Sequence, residues 1–288
     1  DRTVNKLHYA LLGDPALVLN TPLQKAVIDS INGIDVRSGA VATMKAGSIV
    51  SVSGHIERDN TPDTSFNGTM TATVRDSERI IECKLNDESK DGSSWRYQYA
   101  DRTKTLFNGS DSVRSGRFTF TFAVPKDINY SDDSGLINIF ALSNDKSVSA
   151  NGECDKFVIG GTDISGTDSI GPSIYCYLNS PSFTNGGDVN ITPYFVAQIK
   201  DKDGINTTGN GIGHDLQLII DGDMTKTYNL NDNFQYDFGS YTSGTTFFNI
   251  PELAPGKHKL KFRAWDILNN SSTTELSFNV VRGLRPDF

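Results

Sequence analysis

The sequence is poor in the residue types that most often carry chemistry. Its 288 residues hold three cysteines, four histidines, three methionines and two tryptophans. An odd cysteine count does not fit the fully paired framework of a small disulfide-stapled domain. A Cys83–Cys154 bridge stays open for an oxidising compartment, with Cys176 left unpaired. His8, His55, His214 and His258 each stand without a second histidine or a cysteine at metal-ligand spacing. No run approaches the ~18 apolar residues of a membrane-spanning helix. No glycine-rich phosphate loop follows a strand, and no serine sits in a nucleophile elbow. Basic charge is scarce too, with 27 Lys and Arg against 35 Asp and Glu and a formal net charge of −8. Nucleic acid rewards clustered cations, so it is excluded as a partner. Asp1–Lys6 lacks the parts of a signal peptide and Arg285–Phe288 carries no tail signal, so both ends read as cuts through a longer protein.

What the chain does have is strand pattern. Phe118–Phe122 and Leu276–Val280 alternate apolar and polar residues without a break, and Lys259–Ala264 repeats the pattern with cations on the wet face. Such half-buried strands belong to antiparallel sheets with one solvated side. Asn67-Gly68, Asn108-Gly109, Asn151-Gly152, Asp203-Gly204, Asp221-Gly222 and Pro255-Gly256 punctuate them. Only Lys6–Leu12 has helical character, ended by Gly13-Asp14-Pro15. The pattern predicts an all-β protein of two consecutive immunoglobulin-like or fibronectin-like antiparallel β-sandwiches behind a short helical N-terminal remnant. Gly160–Asp168 is small, polar and glycine-rich, as a linker is. The expected division is a remnant at 1–22, a first sandwich at 23–161, a linker at 162–170, a second sandwich at 171–282 and the start of another linker at 283–288.

Candidate sites are few. Cys83 and Cys176 alternate with apolar neighbours and read as inward-facing thiols, and Cys154 leads into the last strand of the first sandwich. Asp201-Lys202-Asp203-Gly204 and Asp221-Gly222-Asp223 lack the remaining ligands of a calcium loop. Turns account for both, and neither a metal nor a cofactor is assigned. Trp95, Tyr97 and Tyr99 fall at i, i+2, i+4, so an extended segment points three rings one way. Exposed, they form a platform for sugar faces; buried, they are core, and strand propensity favours the core. Gly209–Asp215 is a dense polar loop, with His214 and Asp215 its candidate binding residues. A turn in which either bonds local backbone is the simpler reading.

Longer phrases carry a resemblance. Asn5–Leu17 resembles the closing segment of gingipain-type cysteine peptidase domains. Asp111–Phe118 and Val124–Tyr130 are similar to the module that follows that domain in type IX secretion sortases. Matches in the same order continue through Gly204-Ile205-Asn206, Gly211–Asp215, Leu230-Asn231-Asp232, Gly239-Ser240-Tyr241, Gly256-Lys257-His258, Ala264-Trp265-Asp266 and Asn269–Ser272.

The resemblance implies an exported protein at the cell surface and outer membrane of a Gram-negative Bacteroidetes bacterium. Its parent would use a His–Cys pair to cleave C-terminal signals from secreted cargo. The family's catalytic His and Cys lie upstream of the matched segment, so no catalytic residue is carried over. Implied partners are the parent peptidase domain, a C-terminal signal-like domain, and type IX cargo or translocon proteins. Asp111-Ser112-Val113 and Asp168-Ser169-Ile170 resemble the short O-glycosylation signal of such bacteria, which makes Ser112 and Ser169 candidate modification sites. A glycan-binding or adhesive surface module without peptidase activity is the alternative.

Overall fold

The computed structural model describes residues 22–84, 96–165, 168–209 and 213–284. The expected helical remnant at Lys6–Leu12 and Trp95 lie outside the described residues. Among the described residues the regular structure is nearly all strand. In chain order the longer strands are β1 (Gln24–Ile31), β2 (Ala42–Ala46), β3 (Ile49–Arg58), β4 (Gly68–Arg75), β5 (Thr105–Arg114), β6 (Arg117–Ala123), β7 (Leu136–Ser143), β8 (Ser149–Cys154) and β9 (Phe157–Thr162). They continue as β10 (Ser173–Leu178), β11 (Tyr194–Lys200), β12 (Gln217–Ile220), β13 (Ser243–Asn249), β14 (Gly256–Trp265) and β15 (Ser271–Val280).

Alternation decides which side of each strand is buried. In β6 the rings of Phe118, Phe120 and Phe122 point inward, opposite Gly54, Val52 and Val50 of β3. Phe107 stacks within 6.2 Å of Phe120 and 5.4 Å of Phe122. Each such ring withdrawn from water contributes about 2–3 kcal/mol. The β5–β6 hairpin turns through Ser115 and Gly116, both at positive φ, the backbone shape that a two-residue connection between twisted strands requires.

Seven strands of the N-terminal half close on themselves in the order β1-β8-β7-β4-β5-β6-β3 and back to β1. The closing strand β1 runs antiparallel to β3 from Lys25↔Glu57 to Ile31↔Val52, and parallel to β8 at Gln24↔Ala150 and Lys25↔Asn151. Two glycines let it fit. A Cβ on Gly54 would strike the Val27 carbonyl and the Phe118 ring, and one on Gly152 would strike the Ala26 carbonyl. This half is therefore a closed barrel where the sequence predicts an open sandwich. Period-two alternation reports that one face is buried, and that holds equally for both architectures. Outside the barrel, β9 pairs in parallel with β2 and antiparallel with Asp133–Ser134.

The C-terminal half has two sheets. One runs β10-β11-β13 and ends on Gln235–Tyr236. The other runs Asp188–Val189, β15, β14, β12, Thr227–Asn229. They enclose a second apolar cluster in which Phe195 of β11 meets Phe262 of β14 at 5.2 Å. No helix among the described residues is long and apolar enough to cross a membrane.

Candidate functional site

A dense polar arrangement lies where barrel and C-terminal sheets meet. It starts from the segment after β6, which the barrel holds by buried charge. Asp76 accepts from the Ser77 and Asn129 backbone N–H groups, at 2.8 Å each. The buried Lys104 donates to the Asp127 carbonyl at 2.9 Å. Burial pushes the Asp76 carboxyl up and the Lys104 ammonium down, the price of placing both beneath the surface.

Held this way, Asp127 presents its carboxylate to the other half of the molecule. Oδ2 meets His214 Nδ1 at 2.8 Å and accepts from Asn206 Nδ2 at 2.8 Å, while Oδ1 accepts from Asn269 Nδ2 at 3.3 Å. The His214 ring packs 4.4 Å from Trp265, and the Arg263 guanidinium covers that indole at 5.2 Å. Beside this, Ala123 of β6 packs with Ile267, Leu268 and Tyr241. Lys126 donates its N–H to the Ile267 carbonyl at 2.9 Å, and Phe107 packs against Tyr236 in a tilted pair at 5.0 Å. One carboxylate bonded to three side chains from two loops, the β11–β12 connection and the β14–β15 turn, locks two bodies together, and no nucleophile stands beside it among the described residues.

The expected site residues separate. His214 is in the junction, and it bonds a carboxylate of the other half where local backbone was expected. Asp215 Oδ1 likewise accepts from the side chain of Asn231 at 2.8 Å. Tyr97 and Tyr99 lie on a separate two-stranded ribbon formed with Arg79–Glu82. They are 59% and 42% exposed, with ring centroids 6.4 Å apart and an interplanar angle of 21°. These two rings face water, against the core reading. Ser112 is half-buried in mid-β5, and Ser169 is exposed in the connecting segment. Cys154 and Cys176 are buried, Cys83 is half-buried beside the ribbon, and all three are free. Burial pushes the Cys176 thiol up to about 11, away from the reactive thiolate.

Asp168, Asp201 and Asp203 bring carboxylate oxygens within 4.8 Å of one another and, among the described residues, are the group that could hold a cation. The Lys202 ammonium already serves them, 3.2 Å from Asp168 Oδ2 and 2.8 Å from Asp203 Oδ2. Burial, with Asp266 and Asp203 close by, pushes the Asp201 carboxyl up.

Sequence reasoning missed Asp127, Asn206, Asn269, Trp265 and Lys104 as site residues. A signal was present for most of them. Val124–Tyr130, Gly204-Ile205-Asn206, Gly239-Ser240-Tyr241, Ala264-Trp265-Asp266 and Asn269–Ser272, all phrases that carry the family resemblance, converge on this junction.

The structure of dimeric latent PorU from Porphyromonas gingivalis matches 96% of this chain at 32% identity, with a TM-score of 0.57. The match covers 26% of that PorU chain, so the present chain spans about a quarter of its length. Weaker likenesses include an endo-β-1,4-mannanase from Thermotoga petrophila, at 11% identity and a TM-score of 0.26 over 41% of this chain and 21% of that one. The sporulation control protein Spo0M from Bacillus subtilis gives 8% identity and a TM-score of 0.28 over 90% and 91%. No protein-family model and no curated protein matches the chain. The fold is PorU-related.

Proposed function

We propose that this chain is the β-rich region that follows the peptidase domain in a gingipain-like type IX secretion sortase, a cell-surface cysteine peptidase that cleaves C-terminal signals from exported cargo. The observation that carries the reading is the likeness to PorU at 32% identity across nearly the whole chain. In this reading the region is not itself catalytic. It braces the peptidase domain, holds a C-terminal signal-like domain at a set distance, and offers surface to cargo or translocon proteins. Two apolar clusters on either side of residues 162–170 support the division into two domains joined by a linker. The strand orders of the C-terminal half, β10-β11-β13 facing β15-β14-β12, support an immunoglobulin-like second domain.

The test is to express the product of the longer parent gene beside this chain and offer both a substrate bearing a cargo-type C-terminal signal. Cleavage by the longer product alone is expected. Turnover by this chain, abolished by substituting Cys83, Cys154 or Cys176, would overturn the reading. A second reading, a glycan-binding surface module, is favoured by the exposed Tyr97–Tyr99 pair. A polysaccharide panel given to both proteins separates the two. Saturable binding lost in a Tyr97→Ala, Tyr99→Ala variant, with no cleavage by the longer product, selects the glycan module.

A further inference from the structure

Strand β14 carries a feature that neither the packing nor the proposed scaffold role uses. Its successive outward positions Lys257, Lys259, Lys261 and Arg263 are all cationic, in a chain of net charge −8. Lysines on strands commonly guard an open sheet edge. β14 is interior, paired with β15 from Gly256↔Val280 to Trp265↔Ser271 and with β12 on its other side.

Cross-strand carboxylates do not neutralise the row either. Lys257 stands opposite Asn279, Lys259 opposite Ser277, Lys261 opposite Glu275, and Arg263 opposite Thr273. Glu275 lies 4.0 Å from Lys261 Nζ with both side chains exposed, a pairing worth little. Asp221, at the end of the row, is already held by His258 Nδ1 at 2.8 Å and the Lys259 backbone N–H at 3.0 Å. Lys226 stands near that carboxylate and adds to the positive field. Among the described residues no carboxylate lies within 4.0 Å of the Lys257 or Lys259 ammonium. Three members of the row, Lys257, Lys259 and Lys261, line a cleft of about 910 Å³ together with Ile219, Asp221 and Glu275.

We propose that this face is a docking groove for an extended peptide segment with carboxylates at alternate residues. Side chains on one side of an extended chain repeat every ~6.6–6.8 Å. The cations of β14 repeat at the same interval, so an acidic residue at every second position meets a cation at every step. A peptide with the same number of acids in one block points half of them away from the sheet. A uronic acid polymer repeats at its own ring spacing, which makes it the discriminating competitor. The groove stands independently of the sortase reading, since it rests on the charge and spacing of one strand.

The test titrates the full chain with a fluorescent peptide of alternating Asp and Ser, with a block peptide of identical composition, and with polygalacturonate, at low and high salt. Expected is saturable binding of the alternating peptide that weakens with salt. It should be about fivefold weaker for the block peptide, and about tenfold weaker in a Lys257→Glu, Lys259→Glu, Lys261→Glu variant. A milder Lys257→Gln, Lys259→Gln variant, checked by circular dichroism, keeps the test valid if charge reversal disturbs the fold. The proposal is overturned by no saturable binding, by equal affinity for the block peptide, by tighter binding of polygalacturonate, or by affinity that survives the glutamine variant.

Discussion

Asp145 shows how a single side chain sets a turn. Between β7 and β8 its Oδ1 accepts from Ser143 Oγ at 2.6 Å and from the Ser147 N–H at 3.1 Å, and Oδ2 accepts from Ser147 Oγ at 2.7 Å. The two serine hydroxyls, then the Ser147 N–H, hold the carboxyl at about 2, against 3.8 for a free side chain. A depressed carboxyl stabilises the fold above its unfolded value and stops doing so as pH falls through its folded one. Asp145→Asn is therefore expected to lower the melting temperature by a few degrees at neutral pH, with the gap closing between roughly pH 4 and pH 2. Melting curves across that range check it; a gap constant with pH would assign the loss to shape and not to charge. At this scale the sequence was only partly legible. The alternation of Tyr97 and Tyr99 was readable, but which side is wet depends on whether another layer covers it, and both rings are exposed. His214 stood out in its polar loop, but its partner Asp127 lies 87 positions away, beyond the reach of any local pattern.

At the scale of the element, strands were legible and their closure was not. Phe118–Phe122, Lys259–Ala264 and Leu276–Val280 all lie in strands as their alternation predicts. Barrel and sandwich differ in whether the first and last strands find each other, a long-range matter that the pattern of each strand does not encode. The glycines that allow it were visible as turn punctuation, but Asn151-Gly152 lies inside β8, where Gly152 permits close approach to β1. Gly152→Ala is expected to cost about 1–3 kcal/mol, as overpacking does, and to loosen β1 first. Denaturant titration measures the cost, and hydrogen exchange across residues 24–28 locates it. Unchanged exchange there would show that the seam tolerates a methyl group.

The whole molecule depends on the junction. Each half has its own apolar cluster, and Tyr236 packs against both. Its phenol donates to the Ile205 carbonyl at 2.8 Å, and burial pushes its ionisation upward. Asp127 is the charged half of this contact. Replacing it by alanine strips the acceptor from His214, Asn206 and Asn269 together. A loss of about 2–3 kcal/mol is expected, since hydrogen bonds to a charged group are among the stronger ones. Calorimetry should then resolve two unfolding transitions where the parent chain gives one, and Asp127→Asn, which keeps an acceptor oxygen, should restore part of the coupling. A single unshifted transition in the alanine variant would mean that the apolar contacts alone hold the halves. The connecting segment was legible from its glycines, but the junction across it was not, because its donors and acceptor come from loops far apart in the chain.

The closing seam also orders events during synthesis. β1 precedes β3 closely in the chain, but on its other flank it has only Ile34–Asp35, paired at Ser30 and Ile31, until Ala150 and Asn151 have been made. Lengthening a loop adds only slowly to the entropy of closing it, so the delay comes from topology more than from energy. Until β8 arrives, the growing sheet carries two open edges, on β1 and on β7, the kind that recruit strands from neighbouring chains. A chain ending before Ser149 has an open sheet, and only one that includes the whole of β8 can close the barrel.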